Sequence, residues 1–197
     1  MLGFDWTYAH SYEIEEVQEV PGSGVFDVPV LYIPTPKGRP EHDGLWLKFR
    51  AANGKNWIGV FAFAYTSPLP SRIVSSPNCD QAFVIANGQG FLVTPGNPKE
   101  WAAIPILPVI EVRSLPEHEI IVFGDFTSLA AYGSSGMVWR SPRVCWDDLK
   151  IVAITEHTIE GSVYDPITLG ESRFRVDLKT GRSLLPPPVS TEGKSVW

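Results

Sequence analysis

Charge is what this sequence has least of. Only 19% of its 197 residues are Asp, Glu, Lys or Arg, below the share usual for a globular domain. The 16 Lys and Arg residues form no cluster, and 22 Asp and Glu residues leave a formal charge of −6. Proteins that bind nucleic acid present a basic face or stripe to the phosphates, so neither nucleic acid nor a membrane surface is an expected partner. Cysteine is nearly missing as well. Cys79 and Cys145 stand far apart and in no metal-ligand spacing, the usage of a reducing compartment rather than of a disulfide framework. The longest apolar stretch, Ala102 to Ile110, holds Pro105 and Pro108 and is too short to span a bilayer. Residues Met1 to Trp6 offer neither a basic nor an apolar leader region, so no signal peptide is expected and the cytoplasm is the expected location.

Apolar residues make up 44% of the chain, with 17 Gly, 18 Pro and 7 Trp. Many short strands joined by tight turns account for that mixture better than long helices with solvated faces. The expectation is an all-β, mainly antiparallel fold with few or no helices, forming a single domain over residues 1–185. Residues 1–20 carry aromatics and then glutamates, with a period that fits either a short helix or an alternating strand. Val25 to Ile33 reads as a strand, and the prolines of residues 34–44 as a loop. Two apolar runs flank Asn53-Gly54, and that pair tolerates the positive φ of a tight hairpin turn. Pro186-Pro187-Pro188 opens an extended tail over 186–197.

The apolar strand signals return at a fixed interval. Phe83-Val84-Ile85-Ala86-Asn87 aligns with Ile121-Val122-Phe123-Gly124-Asp125, and Trp101 with Trp139, each 38 residues on. A third, looser copy starts near Ile159 and runs to Gly181. The preceding turns correspond too: Asn78-Cys79-Asp80, Glu117-His118-Glu119 and Glu156-His157-Thr158. This period predicts repeated meanders with units near 45–82, 83–120, 121–158 and 159–185, arranged as a β-sandwich or as a small, incomplete propeller. The chain length sits comfortably in the sandwich range.

Two segments resemble the blade repeat of quinoprotein-type β-propellers. They are Leu129-Ala130-Ala131-Tyr132-Gly133-Ser134-Ser135-Gly136-Met137-Val138-Trp139 and the Asp-x-x-Thr-Gly turn Asp177-Leu178-Lys179-Thr180-Gly181. The resemblance covers about residues 80–185 and implies blades in which the Trp packs between neighbours, a structural role. The chain departs from that family in lacking an Asp ahead of Gly136 and a Trp after Gly181. It has room for four small blades at most, and no quinone or other cofactor carries over. The general pattern is also similar to bacterial proteins known only as hypothetical, which implies no function.

No catalytic signature stands out. There is no His-Glu-x-x-His, no Gly-x-Ser-x-Gly and no calcium-loop pattern. Radially arranged units would place Cys79, His118 and His157 on one rim, a ligand set suited to zinc or copper, whereas separated units would leave them as solvated turn residues. A Cys145–His157 nucleophile pair competes with the reading of Cys145 as a buried structural thiol. Asp147-Asp148 reads as a hairpin turn. Arg140, Arg143 and Trp146 are residue types enriched at protein–protein hot spots and form the candidate binding set, while Trp101 and Trp139 read as core. Two functions follow. One is a non-catalytic protein-interaction module, inhibitor-like or immunity-like, with a protein partner and with homodimerisation also open to it. The other is a small hydrolase or metal-dependent enzyme built on Cys79, His118, His157 and Asp125.

Overall fold

The computed structural model describes residues 2–19, 25–35, 43–64, 69–165 and 169–185. Among them the chain forms sixteen strands and a single 3-10 turn, Pro116–His118. The fold is all-β. No helix among the described residues is long and apolar enough to cross a membrane. His42 and the tail expected over 186–197 lie outside the described residues.

The chain divides into two compact units, Met1–Leu107 and Pro108–Trp197. The first contains β1 (Gly3–Asp5), β2 (Tyr12–Glu16), β3 (Val30–Ile33), β4 (Gly44–Ala51), β5 (Asn56–Ala62), β6 (Arg72–Ser75), β7 (Ala82–Ala86), β8 (Gln89–Val93) and β9 (Trp101–Ala103). These build two sheets, in the orders β1-β6-β7-β8-β9 and β2-β4-β5-β3. The ambiguous N-terminal segment is therefore strand in both of its parts. Residues alternate in β4, with Leu45, Leu47 and Phe49 buried, because successive side chains of a strand point to opposite faces. The hairpin expected at Asn53-Gly54 joins β4 to β5, with Gly54 at φ 82°. Phe49 lies flat on Trp57, ring centroids 4.1 Å apart and 4° from parallel. With Phe61, Phe91, Ile73 and Val84 they form the core of this unit.

The second unit contains β10 (Glu111–Leu115), β11 (Ile120–Gly124), β12 (Leu129–Gly133), β13 (Gly136–Arg140), β14 (Asp147–Ile154), β15 (Thr158–Asp165) and β16 (Gly170–Asp177). They form a four-stranded meander β10-β11-β12-β13 and a three-stranded meander β14-β15-β16, all antiparallel. Its core joins Val122, Leu129, Ala131 and Trp139 of the first sheet to Leu149, Ile159, Phe174 and Val176 of the second. Burying each large aliphatic or aromatic side chain stabilises by about 1.5–3 kcal/mol, so each unit is held mainly by the apolar layer between its two sheets.

The units expected at 45–82, 83–120, 121–158 and 159–185 each begin or end inside a meander. The meanders run 72–103, 111–140 and 147–177, about one strand earlier, because strands β6, β10 and β14 belong with the strands that follow them. Phe83, Ile121 and Ile159 each take the second position of β7, β11 and β15 and are buried. Asp147-Asp148 does not form a hairpin turn; it opens β14, where Asp148 has φ 54° beside an irregularity in the pairing with β15. Cys145 lies in the segment between β13 and β14 rather than within a strand.

Candidate functional site

The second unit carries a cleft of about 400 Å³ lined by His118, Ile120, Val138, Trp139, Glu156, His157, Asp177, Leu178 and Lys179. Local sequence explains its walls. His118 ends the 3-10 turn, which begins at Pro116 and closes on Glu119 in the left-handed region. His157 sits in the turn between β14 and β15, held by Thr155, whose hydroxyl accepts the His157 and Thr158 N–H groups. Asp177 starts the Asp-x-x-Thr-Gly turn. Its Oδ1 accepts the Thr180 N–H at 2.8 Å and the Thr180 hydroxyl at 2.6 Å. Those bonds, led by the hydroxyl, hold the Asp177 carboxyl below its ordinary pKa, with a smaller contribution from His157.

Trp139 forms the floor. It comes from β13 of one sheet and donates its indole N–H to the Leu178 carbonyl of the other at 2.8 Å. Its ring rests against Gly181, where φ is 70° and an added Cβ would stand 2.5 Å from the indole. Only glycine meets both conditions at low cost. Trp139 thus ties together the two sheets of the second unit. The first unit holds a parallel arrangement: Trp57 of β5 donates to the Pro95 carbonyl, in the turn between β8 and β9, at 2.9 Å.

Of the metal candidates, His118 and His157 share the cleft, while Cys79 lies in the first unit, exposed, its carbonyl accepting the Ser11 N–H. Among the described residues no three His, Cys, Asp or Glu side chains come together as a metal-binding group. Glu156 approaches His157 at 4.0 Å, with both side chains more than 80% exposed. Asp125 is fully occupied in its own turn. Its two oxygens accept the Thr127 N–H and hydroxyl and the Ser128 N–H and hydroxyl. Cys145 is buried beneath Phe126, its thiol meeting the Phe126 carbonyl at 3.3 Å, and burial pushes that thiol up to about 12. A thiol so raised is not a thiolate nucleophile at neutral pH.

The binding candidates divide. Arg143 folds back on its own segment, donating from Nε to the Cys145 carbonyl and from Nη2 to the Trp146 carbonyl. Its guanidinium lies 5.6 Å from the centre of the Trp146 ring. Arg140 ends β13 and is exposed. Sequence reasoning singled out none of Ile120, Val138, Leu178 or Lys179 as site residues; Val138, 55% exposed beside a buried Trp, carries a weak signal of that kind. The first unit adds an exposed aromatic surface in which Trp6 stacks on His10 at 4.6 Å beside Phe4. Compared with known proteins, the chain matches no family model and no curated sequence.

Proposed function

We propose that this chain is a non-catalytic protein-interaction module, of the inhibitor or immunity type, whose partner seats a side chain in the cleft over Trp139. One observation carries the reading. The cleft combines an apolar floor of Ile120, Val138, Trp139 and Leu178 with a rim of His118, His157, Lys179, Glu156 and Asp177, while Asp125 and Cys145, the acid and the thiol nearest to catalytic use, are tied into structural roles. Apolar floors ringed by polar groups are the pattern of recognition surfaces. The meanders 72–103, 111–140 and 147–177 are read as copies of one blade-like unit, and the two free thiols support a cytoplasmic location.

The test is affinity capture with the intact chain, comparing wild type with Val138→Asp, which sets a carboxylate on the apolar floor where the partner's side chain would seat. Wild type is expected to recover a partner in stoichiometric amount and the variant to lose it. Recovery of the same proteins by both would sink the proposal. The convergence of His118 and His157 on one cleft favours one second reading, a metal-dependent hydrolase. Calorimetric titration with zinc separates the two: uptake of one equivalent, abolished in His118→Ala and His157→Ala, supports the hydrolase, and no uptake supports the module.

A further inference from the structure

The cleft over Trp139 owes its floor to an irregularity in β13. In a regular strand neighbouring side chains point to opposite faces of the sheet, yet Val138 and Trp139 line the same cleft. Ala131 pairs with Trp139 and Tyr132 with Met137, so Val138 is the extra residue of a β-bulge, a device that re-aims a side chain. Gly133 leaves it room: an added Cβ there would stand 3.2 Å from Val138 Cγ2 and 3.8 Å from Ile120 Cγ2. The two methyl groups meet above that glycine, and Val138 stays 55% exposed beside the buried Trp139.

The rim around that floor is unevenly engaged. Its two acids are answered within the chain: Glu156 lies 4.0 Å from His157, and Asp177 accepts from Thr180 with His157 as a further favourable neighbour. His118 and Lys179 differ. Among the described residues neither side chain forms a hydrogen bond or an ion pair. His118 comes from the turn leading into β11 and Lys179 from the turn after β16, so each sheet brings one nitrogen donor to the cleft and the chain supplies no acceptor for either. An ammonium can only donate, an imidazole donates through its N–H, and a carboxylate is the protein group that answers both with charge-assisted bonds. A basic segment would meet acids already answered and leave both donors unused. We propose, building on the module reading above, that the cleft takes an acidic segment of a partner protein: one large apolar side chain seats on the floor, and a carboxylate from an adjacent residue meets His118 and Lys179.

Nuclear magnetic resonance of the intact, isotope-labelled chain tests this with three capped peptides: Gly-Asp-Phe-Asp-Gly, its analogue Gly-Asn-Phe-Asn-Gly, and Gly-Asp-Ala-Asp-Gly. The first is expected to shift the Trp139 indole N–H saturably, and the third to leave it in place. The Asn peptide is expected to bind at least about threefold more weakly than the first. His118→Ala and Lys179→Ala are each expected to weaken the first peptide about two- to fivefold, the range of an exposed ion pair, and to leave the Asn peptide unchanged. Well-dispersed spectra confirm that each variant is folded. Equal affinity for the Asp and Asn peptides would overturn the acidic partner while leaving the cleft as a seat for an apolar side chain. Silence of Trp139 toward all three peptides would overturn it as well, and the module reading falls too if Val138→Asp leaves affinity capture unchanged. Trp139 shifts that grow with protein concentration alone, and vanish in Val138→Asp, would give the cleft to a second copy of the chain and overturn the proposal.

Discussion

Cys145 and Cys79 differ by environment alone. Cys145 is 1% exposed beneath Phe126, and burial pushes its thiol up to about 12; Cys79 stands exposed at a turn. A thiol-reactive dye is therefore expected to modify one cysteine rapidly in the native protein and the second only in denaturant, with Cys79→Ser removing the fast phase. The shift also sets a pH dependence. A group whose folded pKa exceeds its unfolded value keeps its stabilising effect below the unfolded value and loses it as pH rises toward the folded one. For Cys145 that window opens near the ordinary thiol pKa of about 8.5 and runs up to about 12. Tyr12 adds to the loss from about pH 10, since burial raises its phenol while the hydroxyl donates to the Gln81 carbonyl. Melting temperature is expected to fall between pH 9 and pH 11, and less steeply in Cys145→Ala.

Among the elements, the Asp177–Gly181 turn is the one that two sheets depend on. Gly181→Ala would force a side chain into the left-handed region, at about 1–2 kcal/mol, and against the Trp139 ring, at about 1–3 kcal/mol more. Trp139→Phe keeps most of the packing but leaves the Leu178 carbonyl without its donor, a loss of about 1–3 kcal/mol. Both are expected to lower the midpoint of thermal unfolding, with Gly181→Ala the more damaging; a variant within 1 °C of wild type would contradict the packing described. This turn was readable in advance, because Asp, Thr and Gly at these spacings each have a local reason to be there. The Asn53-Gly54 hairpin was readable for the same kind of reason. The meander boundaries were not: nothing local tells β6, β10 or β14 whether to pair backward or forward along the chain. The start of β14 was hidden similarly, since Asp147-Asp148 has turn chemistry and only pairing with β15 makes it strand.

For the molecule as a whole, sparse charge of net negative sign is the property most exposed to experiment. With a formal charge of −6 and no Lys/Arg cluster, the protein is expected to pass through immobilised heparin without retention at low salt, where phosphate-directed binders are held most strongly. The candidate site was legible only in outline. The corresponding turns of the repeat named His118 and His157, and these meet in one cleft. The floor that gives the cleft its character comes from Ile120, Val138 and Leu178, ordinary apolar residues that come together only where two sheets meet. Arg143 was singled out because its residue type suits a binding surface; its donation to the Cys145 and Trp146 carbonyls depends on a local fold of the segment that residue type does not reveal.

The two tryptophan contacts also bear on how the chain matures during synthesis. Trp57 reaches forward 38 residues to Pro95, and Trp139 reaches forward 39 residues to Leu178. Each indole must leave the ribosome well before the carbonyl it needs, and the Trp139 ring before the Gly181 it rests on. The first unit has both halves of its contact once the turn after β8 is made. The second waits until the Asp177–Gly181 turn has emerged, so the Trp139 contact closes only after the first unit has closed its own.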